Sequence, residues 1–213
     1  MLAALPSIRL KAGRELGPMF DWNNSVLVVL TDLGDSAVLG AVVIVVAAYL
    51  WIARCHRTAL VLAGALVAGA VGIGLLKTAF LGCGIHVGQL TIRSPSGHAG
   101  LSCAVLGTLA SVMAGQLAGW RRLLPYIALV PLIAIITATR VLLNYHSVDE
   151  TLVGLLMGGT VAALAHVVLR HGPEPVFNRR GLVLAVIVVS ILLDGVRLPA
   201  EECIHLLAAA VGV

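Results

Sequence analysis

Residues 59–78, ALVLAGALVAGAVGIGLLKT, form a run of twenty amino acids whose one charged side chain, Lys77, stands near its end. A helix needs about 20 predominantly apolar residues to cross the hydrocarbon core of a bilayer. A strand of a membrane barrel would instead alternate polar and apolar side chains, and this run does not alternate. Lipid offers no hydrogen-bond partners to backbone N–H and C=O groups, and a helix satisfies these groups internally. The run therefore predicts a membrane-spanning helix.

The composition of the whole chain indicates the same environment. Of its 213 residues, 60% are hydrophobic and 11% are charged, against roughly 25% charged in an average soluble domain. The net charge of +4 does not indicate nucleic acid binding, because the basic residues are scattered over short loops. We therefore expect an all-α, polytopic transmembrane helix bundle that has membrane lipids as its partners.

Six apolar stretches predict about six spans within one membrane-embedded domain, residues 1–213. The bundle is expected over residues 35–195. Segments 1–34 and 196–213 mix apolar and charged residues, as helices that lie in the membrane interface do. The stretches cover residues 35–51, 59–78, 98–117, 124–143, 148–169 and 181–193.

The arginines of three short loops predict the orientation of the bundle. Seven of the fourteen Lys and Arg residues fall in these loops, which connect alternate pairs of spans and so share one end. The positive-inside rule makes that end cytoplasmic. The other end then faces the periplasm or exterior of what we expect to be a bacterial inner membrane. The seven residues are Arg54, Arg57, Arg121, Arg122, Arg170, Arg179 and Arg180.

The unusual polar residues of the spans gather at the opposite, outer end. Ionisable side chains within a membrane bundle are costly to hold and usually mark a functional site. The group consists of Lys77, Arg93, Ser94, Ser96, His98, Arg140, His146, Asp149 and Glu150.

Residues 93–98, RSPSGH, predict a helix start that binds an anion. We expect Ser94 to cap the helix and Pro95 to take its first position. The backbone N–H groups that follow then point outward at the positive end of the helix dipole. An ordinary capped helix start is the structural alternative.

The last three residues of this segment add chemistry to the helix start. Gly97 lets a ligand approach the backbone closely. Ser96 contributes a hydroxyl donor, and His98 is a candidate proton donor to a leaving oxygen.

Residues 139–150, TRVLLNYHSVDE, predict the other half of the site. Arg140 offers a fixed fork of donors that suits phosphate oxygens. His146 is a candidate nucleophile that would attack phosphorus and carry the phosphoryl group. Glu150, four residues further on, reaches the same helix face and is a candidate orienter of His146.

Two alternatives bear on Glu150. The pattern Ser147-Val-Asp-Glu150 is also that of a capping box, which would give the carboxylate a purely structural role. Asp149 is a rival orienter, although its spacing of three residues from His146 is less favourable than the i,i+4 spacing of Glu150.

Together the two segments resemble the type 2 phosphatidic acid phosphatase family, membrane relatives of the vanadium haloperoxidases. That family carries the motifs K-x6-R-P, P-S-G-H and S-R-x5-H-x3-D. The second motif is intact at residues 95–98. The third runs from Thr139 to Glu150, with Thr in place of Ser and Glu in place of Asp.

The first motif of the family is mostly missing. Lys77 is present, but Gly84 and Ile85 stand where Arg-Pro is expected, and Arg93 is a candidate for the missing positive charge. The resemblance covers about residues 30–170.

The resemblance implies a phosphatase that needs no metal or cofactor. His146 would form a phosphohistidine, Glu150 would orient it, and His98 would protonate the leaving group. The substrate class it implies is a lipid phosphate or polyprenyl (pyro)phosphate. The residues expected to hold the phosphate are Lys77, Arg140, Ser96, Gly97 and Arg93.

Two other functions remain open at this stage. A lipid phosphotransferase would use the same site with an alcohol as acceptor in place of water. A transporter or flippase of an anionic lipid would place its charges near the midplane of the bilayer, whereas here they cluster at one end. The sequence leaves the individual substrate and the oligomeric state undetermined.

Overall fold

The computed structural model describes residues 22–83, 94–172 and 176–193. Within these ranges the chain is helical and contains no strand, which confirms the predicted all-α fold. The helices are α1 (Trp22–Asp32), α2 (Ser36–Ile52), α3 (His56–Cys83), α4 (Gly97–Ala114), α5 (Leu124–Leu142), α6 (Val148–Arg170) and α7 (Arg179–Leu192), with a short 3-10 helix, Gly119–Leu123, before α5.

Four helices, α3 to α6, are long and apolar enough to cross a membrane. The pair Val26–Asp32 and Ser36–Ile52 is bent by 47° and forms either a broken span or a re-entrant segment. The described residues therefore hold four or five candidate spans, and the predicted count of about six is not confirmed. Helix α7 has 14 residues, fewer than the ~20 that a full crossing needs.

Helix α1 was not predicted, because residues 1–34 were assigned to an interfacial segment. The structure packs α1 against α5, so the bundle includes residues that precede the predicted boundary at Asp35. Residues 1–21 and the expected interfacial tail, residues 196–213, lie outside the described part of the chain.

Helix α4 is the central element of the bundle, and α6, α5, α3 and α2 all pack against it. Its side chains are mostly buried, whereas α3, α5 and α6 each turn an apolar face outward. Buried Thr108 satisfies its hydroxyl by donating to the Ala104 carbonyl at 2.7 Å. The main apolar core consists of α2 and α4 side chains together with residues of α3, α5 and α7.

Glycines of α6 allow an unusually close approach to α4. A Cβ atom on Gly154 would lie 2.5 Å from the carbonyl oxygen of Ser96, and one on Gly158 would collide with the carbonyl oxygen of Gly100. Small residues four apart are the usual means by which membrane helices bring their backbones together. The start of α6 is thereby held directly against the start of α4.

The contact between α4 and α6 predicts a sharp difference between two neighbouring glycines. Gly158→Ala should lower the unfolding temperature of the protein in detergent, because the new methyl group forces the two backbones apart at a cost of about 1–3 kcal/mol. Gly159→Ala is the matched control. Its nearest neighbour would be Cys103 Sγ at 3.8 Å, so the gain in helix propensity should leave stability equal or slightly higher. Equal unfolding temperatures would contradict this account.

Candidate active site

Four segments meet at the end of the bundle where the sequence placed its polar residues. They are the turn between α1 and α2, the start of α4, the end of α5 and the start of α6. The contacts that join them run between Arg140 and Thr31, between His98 and Asp35, and between Glu150 and Ser94.

The end of α5 places His146 through a backbone motif. Asn144 adopts φ 54°, a left-handed conformation that asparagine tolerates well. The N–H of Tyr145 donates to the Arg140 carbonyl at 3.0 Å, and the N–H of Asn144 donates to the Val141 carbonyl at 3.0 Å. These two bonds form a Schellman motif, which stops α5 and turns the chain sharply into α6.

The carboxylate of Glu150 is both a helix cap and a partner of His146. Its Oε2 accepts from the backbone N–H of Ser147 at 3.2 Å, and Ser147 Oγ accepts from the Glu150 N–H at 3.2 Å, which completes a capping box. The same Oε2 lies 3.0 Å from His146 Nδ1. The capping role of Glu150 and its contact with His146, which the sequence left as alternatives, therefore coexist. The imidazole contacts Glu150 rather than Asp149.

Glu150 also joins α6 to the start of α4. Its Oε1 accepts from the Ser94 N–H at 3.0 Å, and its backbone carbonyl accepts from the Ser96 N–H at 3.0 Å. Three donors thus converge on one carboxylate that is 8% exposed, which satisfies the buried charge.

The contact with Glu150 fixes the tautomer of His146. An ionised carboxylate can only accept, so Nδ1 must carry the proton that it donates. In the neutral ring the lone pair then resides on Nε2, the nitrogen available for nucleophilic attack.

The connection between α5 and α6 shifts the pKa of His146 downward. Burial of the ring is the largest cause, while the hydrogen bond that the ring donates to Glu150 opposes that change. The positive charges of Arg140 and Lys77 lower the pKa further, so both cations lie close enough to act on the imidazole.

Arg140 and Lys77 are buried cations, 9% and 5% exposed. Arg140 Nη1 donates to Thr31 Oγ1 at 3.2 Å, and its guanidinium carbon lies 4.5 Å from the centre of the Tyr145 ring, a cation–π contact. Such packing restricts the guanidinium to one orientation.

The start of α4 differs from its prediction. Ser96, not Ser94, is the N-cap, and its Oγ accepts from the Ala99 N–H at 3.5 Å. Pro95 therefore precedes the helix, and Gly97 is its first residue. The reason is tertiary, because the N–H groups of Ser94 and Ser96 both bond to Glu150. Ser96 is fully buried.

His98 is paired with a residue that sequence reasoning missed. Its Nε2 lies 3.6 Å from Asp35 Oδ2, and the Asp35 side chain also caps α2 by accepting from the Ala37 N–H at 2.8 Å. Gly34 makes this placement possible, because a Cβ there would lie 2.5 Å from Ile136 and 2.8 Å from Ser102 Oγ.

Asp35 and Thr31 are the additions that the structure makes to the site. Both lie at the turn between α1 and α2, where Asp35 is 5% exposed and Thr31 is 1% exposed. Asp35 contacts His98, and Thr31 accepts a hydrogen bond from Arg140. The signal available in the sequence was the polar turn TDLGD at residues 31–35 between apolar stretches. Arg93, predicted as a replacement cation, lies outside the described residues.

Comparison with known proteins supports the resemblance found in the motifs. The family model described as the PAP2 superfamily matches residues 80–172, which confirms the predicted family. The match begins just after Lys77. A Klebsiella pneumoniae protein described as an uncharacterized 22.5 kDa protein in cps region is 29% identical over 140 residues, 64% of this chain and 67% of that relative. No solved structure matches the chain significantly.

The contacts of Glu150 predict a difference between the two adjacent acids. Glu150→Gln should destabilise the protein by about 1–3 kcal/mol, because the amide loses the charge and part of the acceptor capacity that three buried donors require. Asp149→Asn is the matched control and should unfold at the temperature of the parent protein. The measurement is thermal unfolding of both purified variants in the same detergent, and a larger loss for Asp149→Asn would contradict the assignment.

Proposed function

Because residues 80–172 belong to the PAP2 superfamily, we propose that the chain is a membrane phosphatase that hydrolyses a lipid phosphate or polyprenyl (pyro)phosphate through a phosphohistidine. The observation that carries the proposal is the 3.0 Å contact between Glu150 Oε2 and His146 Nδ1. It directs Nε2 away from the carboxylate and gives the positive charge of a phosphorylated ring a fixed counter-ion.

In the first step, His146 Nε2 attacks phosphorus, a new N–P bond forms, and the bond from phosphorus to the leaving oxygen breaks. His98 donates a proton to that oxygen. In the second step, water attacks the phosphohistidine, inorganic phosphate leaves, and the proton released by the water returns to His98. Both reactive histidines end the cycle in their starting states.

The buried cations supply most of the stabilisation that phosphoryl transfer requires, since positive charge and positioning dominate this chemistry. Arg140 is fixed by Thr31 and Tyr145, and Lys77 acts on the same imidazole. We assign both to the equatorial phosphate oxygens, together with the N–H of Gly97 at the start of α4. Ser96 Oγ, which caps α4 in this structure, would join them by rotating its hydroxyl.

Asp35 contacts the proposed general acid. Its buried carboxylate lies 3.6 Å from His98 Nε2, close enough for charge attraction to hold the ring in place. We assign Asp35 as a positioning residue that acts through His98.

The arrangement of the bundle supports a lipid substrate and an outward-facing site. The arginine-rich connections lie at the end opposite His146, where the positive-inside rule places the cytoplasm. A site at the membrane boundary lets an amphiphile present its phosphate while its chains stay in lipid. We therefore propose that the site faces the periplasm or exterior.

A comparison of three histidine variants tests the proposed chemistry. His146→Ala should reduce phosphate release by roughly 10³-fold or more, and His98→Ala by roughly 10²–10⁴-fold. His171→Ala is the matched control, because His171 follows α6 at the opposite end of the bundle, and it should retain parental activity. The assay measures phosphate released from phosphatidate, phosphatidylglycerol phosphate, undecaprenyl pyrophosphate and lipid A in EDTA, with vanadate as inhibitor.

Labelling with a ³²P-phosphorylated substrate tests the intermediate directly. The protein should acquire an acid-labile, base-stable phosphoryl group that His146→Ala lacks. Turnover that survives His146→Ala would overturn the mechanism. Label that passes to an added alcohol in preference to water would identify a phosphotransferase, and lipid movement across vesicles without phosphate release would identify a transporter.

The pKa of His146 predicts the acidic limb of the rate profile. His146 must be neutral to attack, and burial lowers its pKa, so kcat/KM should persist below pH ~6.5, the ordinary imidazole value, before it falls. Glu150→Gln removes contacts that raise this pKa and should move the midpoint to still lower pH. Using one substrate for both proteins cancels substrate ionisation, and a shift to higher pH would contradict the assignment.

A further inference from the structure

A polar cavity lies at the opposite end of the bundle from His146. Its volume is about 890 Å³ and it opens between the start of α3, the end of α4, the start of α5 and the end of α6. His166, which lines it, stands sixteen residues beyond Glu150 on α6, or about 24 Å along the helix axis. The cavity is therefore separate from the candidate active site.

Three polar side chains form a closed hydrogen-bonded cluster in its wall. Tyr126 Oη lies 3.0 Å from Ser111 Oγ and 3.1 Å from His166 Nδ1, and Ser111 Oγ lies 3.2 Å from the same nitrogen. The Ser111 hydroxyl is also 3.1 Å from the Gly107 carbonyl. Polar groups from three spans thus meet inside the bundle, and the proposed phosphatase chemistry does not use them.

Three arginines line the same cavity, namely Arg57, Arg122 and Arg170. Arg57 Nη2 donates to the Val168 carbonyl at 2.7 Å, and Arg122 Nε donates to the Leu117 carbonyl at 2.6 Å. These hydrogen bonds hold both guanidinium groups in place. No carboxylate occurs among the described lining residues. The described lining therefore contributes three positive charges to the cavity.

Apart from Thr58, the rest of the lining is apolar, and most of its side chains are small. The cavity volume of about 890 Å³ is far larger than a phosphate ion needs, because one water molecule takes up only about 30 Å³ in the liquid. Exposed side chains such as Val167 and Leu123 extend the apolar lining of the cavity onto the surface of the bundle. The apolar part of the lining consists of Gly107, Val112, Ala114, Gly115, Ala162, Ala163 and Leu169.

We propose that this cavity binds the headgroup of an anionic phospholipid from the leaflet on the arginine-rich side. The phosphate would sit among the arginines, glycerol oxygens would reach Tyr126 and His166, and the chains would run over the apolar wall. Basic pockets between membrane helices at the cytoplasmic face suit such headgroups. An amphiphile also explains why one cavity combines three cations with an apolar floor.

Binding to the purified full chain in a neutral detergent tests the proposal without any turnover, so its outcome is independent of the proposed phosphatase activity. Phosphatidylglycerol should raise the unfolding temperature by several degrees and appear as a retained adduct in native mass spectrometry. Phosphatidylcholine at the same concentration should do neither. An equal shift with phosphatidylcholine, or with inorganic phosphate alone, would overturn the proposal.

Paired arginine variants test the location of the lipid. The double variant Arg122→Gln/Arg170→Gln should lose most of the phosphatidylglycerol shift and at least tenfold in affinity. Arg121→Gln/Arg179→Gln is the matched control, because it removes the same charge at the same end from residues outside the cavity, and it should keep the shift. Equal losses in the two double variants would indicate nonspecific charge attraction and overturn the site.

A third variant covers the case in which the arginine changes prevent folding. Ala163→Phe fills the cavity from an exposed position on α6 and leaves all three arginines in place. It should reduce phosphatidylglycerol binding at unchanged net charge. Undiminished binding by a folded Ala163→Phe protein would overturn the placement of the lipid in this cavity.

Discussion

The carboxylate of Glu150 makes the interactions on which the polar end of the bundle depends. It accepts from the backbone of Ser94 and Ser147 and from the ring of His146. A buried carboxylate is costly unless it is well supplied with donors, and these donors come from two separate stretches of chain, the segment before α4 and the turn between α5 and α6. The capping of α6, the docking of α6 against the start of α4 and the tautomer of His146 therefore all depend on the charge of Glu150.

The close approach of α4 and α6 brings those donors within reach. Gly154 and Gly158 remove the side chains that would hold the two backbones apart, so the carbonyl of Glu150 can accept from the Ser96 N–H. The same approach lets the Ser94 N–H reach the Glu150 carboxylate that contacts His146. Packing in the apolar part of the bundle and geometry in its polar end are thus parts of one arrangement.

Much of this end could be predicted because its signals are local. The four-residue spacing of His146 and Glu150 fixes their relation on a helix start, and the intact PSGH segment indicates another helix start. The choice of Ser96 over Ser94 as cap could not be predicted, because both serines suit the role locally and a distant carboxylate decides between them. The role of Asp35 could not be predicted either, because its partner His98 is distant in sequence and lies 63 positions further along the chain.

The structure gives a reason for the glutamate at position 150, a departure from the family pattern that the sequence alone left unexplained. The family motif has aspartate at this position, and its side chain is one methylene shorter. At the third position of a helix, a glutamate side chain is long enough to fold back to the cap N–H, and here it reaches His146 Nδ1 with the same oxygen. An aspartate side chain reaches less far from the same backbone toward these three donors. The longer acid therefore fits a site in which one side chain both caps α6 and holds the ring of His146.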